Sequence, residues 1–189
     1  MSYFSDNQYL IRRKILKLFG GSFHIYNKNQ KVVGFSKMAA FKLKEDLRIY
    51  TGEDMTEEIL SIKARSVIDF SATYDVHDSK TNQKIGALKR EGLKSMLKDE
   101  WIILNAQDQE RGRIKEDSMF LAILRRFIMN LIPQNFSCTI NGKDACDFKQ
   151  NLNPFVGKIE VLFKNVEDAD RNLIMAGGIL LCAIEGKQS

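Results

Sequence analysis

The sequence predicts a mainly β protein with about twelve short antiparallel strands and a buried C-terminal hydrophobic helix. Apolar and polar residues alternate in many short runs, as expected for strands with one buried face. Polar turn residues separate these runs closely enough for neighbouring strands to pair as hairpins. Near the C-terminus, one segment of helical length is apolar on all sides, so it must be buried all round. A closed barrel would provide that burial.

The predicted strands begin near residue 22. In residues 70–76, aromatic and aliphatic side chains alternate with Ser, Thr and Asp. Asn141-Gly142 is a strong signal for a two-residue hairpin turn. Strands separated by such short turns favour an antiparallel sheet or barrel. The other runs are SFHIY (22–26), KVVGF (31–35), FKL (41–43), LRIYT (47–51), EILSIKA (58–64), KIGAL (84–88), WIIL (101–104), GRIK (112–115), FSCTI (136–140), ACDFK (145–149) and GKIEVLF (157–163).

A weak internal repeat accompanies this pattern. IYNKNQKVVG (25–34) and VHDSKTNQKIG (76–86) share a strand ending in Asn or Asp, a polar turn, Asn-Gln-Lys, an aliphatic residue and Gly. ILNAQDQERGRI (103–114) is a fainter copy. Gene duplication and independent hairpin chemistry explain the repeat about equally well. In both cases the unit is a hairpin, and stacked hairpins build a barrel.

Two segments have helical character. Residues 118–132 (SMFLAILRRFIMNLI) form a continuous apolar run with Asp117 or Ser118 as cap and Pro133 as terminator. The second helix is expected from Val166 to about Glu185, with carboxylates near its positive end. Its Gly-Gly pair would allow close backbone approach. The residues expected to be buried in it are Leu173, Ile174, Ala176, Gly177, Leu180, Leu181 and Ile184.

Length and composition indicate one domain spanning residues 1–189, of ordinary globular character, with a net charge of +5. Three cysteines without a C-x-x-C pattern, and an N-terminal stretch without a signal-peptide pattern, lead us to expect a cytoplasmic protein. The longest apolar run, residues 173–184, would span about 18 Å as a helix. A bilayer core is about 30 Å thick, so we expect no transmembrane segment.

Several segments together resemble the tubby C-terminal-like superfamily, and most closely its LURP-one-related and phospholipid scramblase-like members. They are YLIRRKILKL (9–18), FHIYNKNQKVVG (23–34), YDVHDSKTNQKIGALKR (74–90), WIILNAQDQERGRIKED (101–117) and DADRNLIMAGGILLCAIE (168–185). The resemblance implies a twelve-stranded barrel threaded by a central hydrophobic helix. Tubby domains bind phosphoinositides through a basic cluster, scramblases are tied to membranes and calcium, and most LURP-one-related proteins have no established function.

Residue patterns for catalysis or cofactor binding are scarce. The two histidines, His24 and His77, are expected at the surface or in turns. The sequence contains no G-x-S-x-G elbow, P-loop or G-x-G-x-x-G pattern, and its His and Cys residues lack zinc-site spacing. The acidic pairs Glu53-Asp54 and Glu57-Glu58 lack calcium-loop spacing and indicate a solvated loop. We therefore expect a non-enzymatic protein without a cofactor.

The basic residues are the best candidates for a binding site. Residues 1–50 carry a net charge of +7, which favours an acidic partner. Periodicity does not distinguish a basic amphipathic helix from a first strand near residue 12, whereas the resemblance favours a strand. Alternatively, the charges are ordinary exposed residues that keep sheet edges from pairing. The candidates for anion or lipid binding are Arg12, Arg13, Lys14, Lys17, Lys89, Arg90, Arg125 and Arg126, with Lys94 and Lys98 beside the second group.

These observations leave several hypotheses for function. The first is peripheral docking to anionic lipid headgroups or a membrane surface. The alternative is a structural or protein-interaction module with no lipid role. A third is a small apolar ligand between barrel and helix, near Ile174, Leu180 and Leu181. We do not expect nucleic acid as a partner, because alternation directs about half of the aromatic residues beside the basic segment towards the core.

Overall fold

The computed structural model describes residues 2–16, 20–38, 46–66, 72–91, 100–117, 134–151 and 156–184. Within these ranges, twelve strands form a closed antiparallel barrel in which consecutive strands pair and β1 also pairs with β12. The elements are β1 (Gln8–Leu16), β2 (Gly20–Asn27), β3 (Val32–Met38), β4 (Asp46–Tyr50), β5 (Glu58–Ala64), β6 (Thr73–Asp78), β7 (Gln83–Arg90), β8 (Glu100–Leu104), β9 (Glu110–Glu116), β10 (Asn135–Ile140), β11 (Lys143–Gln150), β12 (Lys158–Phe163) and α1 (Asp168–Ile184). The predicted fold class is confirmed.

Most predicted strands coincide with observed ones to within a few residues. The segment near residue 12, for which the sequence left helix and strand open, is strand β1. Two predictions, the strand at 41–43 and the helix at 118–132, lie outside the described residues. Among the described residues, no helix is both long and apolar enough to cross a bilayer.

The two ends of the barrel differ in their connections. Because all neighbouring strands are antiparallel, every odd-numbered strand runs in the same direction. One end, here called the turn end, carries the short hairpin turns 28–31, 51–57, 79–82, 105–109 and 141–142. At the opposite end, here called the connection end, each odd-numbered strand up to β11 ends and the next strand begins, and each of these connections includes residues outside the described ranges.

The hairpin signals in the sequence correspond to real turns. Asn141 and Gly142 have φ angles of 49° and 73°, so both central residues have positive φ, as this type of two-residue turn requires. The repeat segments form the β2–β3, β6–β7 and β8–β9 hairpins. Their shared glycine permits close packing. A Cβ on Gly86 would lie 2.7 Å from Cδ2 of Leu173 in α1, and one on Gly112 would lie 2.1 Å from the Thr139 carbonyl oxygen.

Helix α1 fills the barrel. Every residue from 170 to 183 is buried, which confirms the prediction of a helix buried on all sides. A Cβ on Gly177 would lie 2.7 Å from Ile114 Cδ1, and one on Gly178 would lie 3.0 Å from Ile11 Cδ1, so the Gly-Gly pair allows strands to approach the helix. The exception among the predicted buried residues is Ile184, which is only partly buried because it ends the helix.

The N-terminal segment covers the start of α1 at the turn end. Nη1 of Arg171 donates to the carbonyl oxygen of Asp6 at 2.8 Å, and Nη2 donates to Oδ1 of Asn7 at 2.9 Å. Oδ1 of Asn172 accepts hydrogen bonds from the Ser2 hydroxyl at 2.9 Å and from the Tyr3 backbone N–H at 3.2 Å. The helix therefore runs from the turn end to the connection end.

Candidate functional site

Strand β1 divides the first basic cluster between two environments. Tyr9, Ile11 and Arg13 lie on the inner face and are buried, as alternation along the strand requires. Arg12 and Lys14 lie on the outer face, where Arg12 is partly exposed and Lys14 is exposed. Only the outer pair is available to a partner at the barrel surface.

The prediction of Arg13 as an anion-binding or lipid-binding residue is therefore wrong. Its exposed fraction is 3%, and its Nη1 donates to the carbonyl oxygens of Cys182 and Ala183, each at 3.3 Å. Burial lowers the pKa of Arg13. The positive guanidinium caps the negative end of the helix dipole from inside the barrel. Alternation contains a signal for this, since positions 9, 11, 13 and 15 carry one charge and positions 10, 12, 14 and 16 carry two.

The second basic cluster lies across the barrel from the first. Lys89 is exposed on the outer face of β7, whereas Arg90 shares the inner face with the buried Leu88 and is partly exposed. In the closed order of twelve strands, β7 is six strands from β1 in either direction. Lys89 and Lys14 are thus on opposite sides and cannot form one lateral patch. The remaining candidates, Lys17, Lys94, Lys98, Arg125 and Arg126, lie outside the described residues.

What the two clusters share is an end of the barrel. Each odd-numbered strand up to β11 has an exposed lysine within its last three residues at the connection end, and each of these lysines directly follows a buried residue. Five of the six are penultimate in their strand. Together they form a ring of positive charge, here called the lysine rim, made of Lys14, Lys37, Lys63, Lys89, Lys115 and Lys149.

Most rim lysines form no ion pair within the described part of the chain. Within the described part of the chain, Lys115 lies 3.4 Å from Glu100, and the other five rim lysines form no ion pair. Two carboxylates at this end are engaged by arginines, Asp46 by Arg48 at 3.2 Å and Glu100 by Arg113 at 2.7 Å. Lys63 has Asp46 and Asp75 as register partners and Lys149 has Glu160, so the uncompensated positive charge of the rim lies mainly at Lys14, Lys37 and Lys89.

The turn end has the opposite character. The 51–57 turn carries the exposed carboxylates Glu53, Asp54 and Glu57, and the start of α1 adds exposed Glu167 and Asp168. Some lysines near this end are paired, such as Lys164 with Asp147 at 2.8 Å. Others, Lys31, Lys80 and Lys143, are exposed without an ion pair among the described residues. The positive ring belongs to the connection end.

His24 is buried, contrary to the expected surface or turn position. It lies on the outer face of β2 with an exposed fraction of 4%, because the 51–57 turn covers it. Its Nε2 is 2.6 Å from Oε1 of Glu53, and its ring contacts Tyr26 and Phe35 at centroid distances of 6.0 and 5.1 Å. His77 is half-buried on β6, four strands away. Within the described ranges, no three His, Cys, Asp or Glu residues form a metal site.

The three cysteines are free thiols in the core. Cys138 and Cys146 are direct partners across β10 and β11, and Cys182 lies in α1. Burial raises the pKa of Cys138 and of Cys182 to about 12, and burial also raises the pKa of Cys146. The expectation of Cys182 as a core residue is confirmed. Such protonated, inaccessible thiols are poor nucleophiles.

The interior is filled where an apolar ligand was considered. Ile174, Leu180 and Leu181 have exposed fractions of 0, 0 and 1% and belong to the continuous hydrophobic core. Their packing argues against a ligand between barrel and helix at these residues.

The lysine rim was missed by sequence reasoning because it depends on strand direction. Taken alone, Lys37, Lys63, Lys115 and Lys149 are single charges in alternating segments. A signal was present, since five of the six odd-numbered strands up to β11 end in a lysine followed by one more residue, but the predicted strand bounds included this ending only at 58–64. Only the pairing of the strands shows that these endings share one end of the barrel.

Comparisons with known proteins bear on the fold. No known protein family matches the sequence, and no curated protein matches it. Among solved structures, the X-ray structure of a protein from Arabidopsis thaliana is similar, with 10% sequence identity and a TM-score of 0.54. The match covers 95% of this chain and 92% of that chain. At this identity the likeness concerns the fold alone.

Proposed function

We propose that this protein is a non-enzymatic, peripheral membrane-binding protein that docks on anionic lipid headgroups with the connection end of its barrel. The lysine rim carries the proposal. Each lysine near an anionic surface contributes about 1 kcal/mol of attraction, and this attraction is screened by salt. Several lysines acting together would give reversible, salt-sensitive binding.

Charge polarity supports this choice of end. The carboxylates of the 51–57 turn and of the start of α1 would be repelled by an anionic surface, whereas the lysine rim would be attracted. An anionic surface would therefore orient the barrel with the turn end away from it.

The sequence of residues 118–133 supports a membrane over a purely ionic partner. This segment is rich in Leu, Ile, Phe and Met and contains Arg125 and Arg126. That combination is typical of segments that lie at membrane interfaces.

The resemblance to the tubby-like superfamily, whose tubby members bind phosphoinositides, is compatible with a lipid role. We also propose, on that resemblance, that the chain is a distant LURP-one-related or scramblase-like protein. A cytoplasmic location, where membranes expose anionic headgroups, would fit the free thiols.

Cosedimentation with vesicles tests the proposal. We expect the protein to pellet with phosphatidylserine-containing vesicles at low salt and to be released at high salt. It should not pellet with neutral phosphatidylcholine vesicles. Combined Lys14→Glu, Lys37→Glu and Lys89→Glu substitutions should abolish pelleting. These three lysines have no carboxylate as a register partner, so the reversals introduce no like-charge pair between neighbouring strands.

The matched control reverses three exposed lysines of the turn end, Lys31→Glu, Lys80→Glu and Lys143→Glu. It has the same net charge as the rim variant, so it should still pellet if position matters. Equal loss in both variants, or equal pelleting on neutral and anionic vesicles, would contradict the proposal. A complete lack of vesicle binding would favour the protein-interaction alternative, whose partner should still bind the rim variant.

A further inference from the structure

We infer that the lysine rim binds several separate, singly charged headgroups at once, with the barrel standing end-on, and not one polyphosphorylated headgroup in a pocket. This inference rests on the proposed function. It names the chemistry of the partner, a surface with a high density of anionic lipids such as phosphatidylserine.

The spacing of the rim lysines is the first argument. Lys14 and Lys37 both have Ser22 as their register partner, so two strand separations, about 10 Å, divide their backbones. The other rim neighbours are also two strands apart, and most are offset along the strands as well. Twelve strands about 4.8 Å apart and tilted by about 40° give a circumference of roughly 75 Å, or about 12 Å between neighbouring lysines.

The direction of the side chains is the second argument. All six rim lysines project from the outer face of a convex barrel, so their side chains diverge. A site for one phosphorylated headgroup needs cations that converge on it, usually with an arginine fork. Two arginines near this end face inward and do not supply one, and Arg12, which faces outward beside Lys158 of β12, is set back from Lys14 by two residues. Arg13 is bonded to the end of α1, and Arg90 shares the inner face of β7 with Leu88.

Opposite positions on the barrel give the third argument. β1 and β7 are separated by six strands in both directions, so Lys14 and Lys89 face opposite ways. A membrane lying along one side of the barrel could reach only one of these two lysines. A membrane across the connection end could be reached by both. End-on docking is the arrangement that uses the entire rim.

Single substitutions measure how much each rim lysine contributes to vesicle binding. We expect Lys14→Ala and Lys89→Ala each to weaken binding to phosphatidylserine vesicles about fivefold, and the double variant about 25-fold, which corresponds to about 1 kcal/mol per lysine. Lys37→Ala should match them, while Lys80→Ala at the turn end should leave binding unchanged. Equal thermal midpoints would show that all variants are folded.

The lipid comparison uses two vesicle sets matched for zeta potential, one with phosphatidylserine and one with a phosphatidylinositol bisphosphate. We expect equal affinity on both sets and a steep dependence on the mole fraction of phosphatidylserine. Free inositol trisphosphate at micromolar concentration should not compete.

Three outcomes would overturn the inference while leaving the proposed function standing. The first is tighter binding to the bisphosphate vesicles at matched zeta potential. The second is competition by free inositol trisphosphate. The third is a loss of vesicle affinity in only one of the variants Lys14→Ala and Lys89→Ala. Failure of the unmodified protein to bind any anionic vesicle would instead refute the proposed function. The two failures are therefore distinguishable in one set of experiments.

Discussion

Arg13 and Lys14 are adjacent in the chain, have the same charge, and serve opposite purposes. Alternation along β1 directs Arg13 to the carbonyl oxygens that end α1, while Lys14 points away from the barrel. One side chain stabilises the fold from within. The other is free to meet a partner.

Substituting each residue should separate these roles. We expect Arg13→Ala to lower the free energy of unfolding by about 2–4 kcal/mol, because it removes two hydrogen bonds and leaves a cavity. Lys14→Ala should change it by less than about 0.5 kcal/mol. Urea unfolding followed by circular dichroism measures both.

Arg13→Met is the companion variant, since it restores much of the volume without the charge and distinguishes the cavity from the lost hydrogen bonds. The interpretation would be wrong if Arg13→Ala were as stable as the unsubstituted protein and lost vesicle binding instead.

For single residues, the sequence predicted which apolar side chains face inward better than it predicted the surroundings of the charged and polar ones. The apolar inner positions of β1 followed from alternation, but Arg13 was grouped with Arg12 and Lys14 because all three are basic. His24 occupies an outer-face position and is nevertheless buried, because the 51–57 turn folds over it. That contact joins segments nearly thirty residues apart, and no local pattern encodes it.

Helix α1 shows what an element with no polar face requires. Its residues 170–183 are all buried, and the two glycines accept side chains from strands on different sides of the barrel. The helix is too short to span a bilayer, and its sequence alone indicated that it must be enclosed. The prediction succeeded because an all-apolar helix has few alternatives in a β-rich chain.

A buried charge in this helix should prevent folding. Leu180 has an exposed fraction of 0%, so Leu180→Asp would place an unpaired carboxylate in the core at a cost exceeding the total stability of a typical domain. We expect insoluble or unfolded protein by circular dichroism.

Two further variants keep this prediction testable. Leu180→Ala should fold with a loss of about 2–5 kcal/mol. Ile184→Asp, at the partly exposed end of the helix, should be tolerated better than Leu180→Asp. Cooperative, near-normal unfolding of Leu180→Asp would contradict the central position of α1.

Across the whole molecule, ion-pair networks join distant strands on the outer surface. Hydrogen bonds from Arg65 lower the pKa of Asp75, and those from Lys84 and Arg65 lower the pKa of Asp108. Burial alone would raise the pKa of Glu100, but bonds from Arg113 and Lys115 leave it below its usual value. These carboxylates are more acidic folded than unfolded.

The sign of the pH dependence follows from these shifts. Because folding favours the ionised form, the networks stabilise the protein above the unfolded pKa values of about 4, and this stabilisation is lost as the pH falls further. We expect the thermal midpoint to be nearly constant from pH 7 to 5 and to fall below about pH 4.5. The Arg65→Gln variant should show a shallower fall, and an unchanged slope would contradict this account.

At this scale the sequence predicted the architecture but not the lysine rim. Strand periodicity and turn residues favoured an antiparallel sheet or barrel, and the all-apolar helix favoured the barrel, whereas the common end of six lysines depends on the direction of every strand. The +7 charge of residues 1–50 was a partial signal, since only Lys14 and Lys37 of the rim lie there.

The pairing of β1 with β12 affects how the chain is made. β1 is synthesised some 150 residues before its second partner and the helix that fills the barrel. At about 5–20 residues per second, that delay is roughly 8–30 s. Throughout it, the helix that packs against the inner faces of the strands has not yet been synthesised. A nascent chain with this closure must remain unaggregated until its final segment emerges, which makes it a natural client for ribosome-associated chaperones.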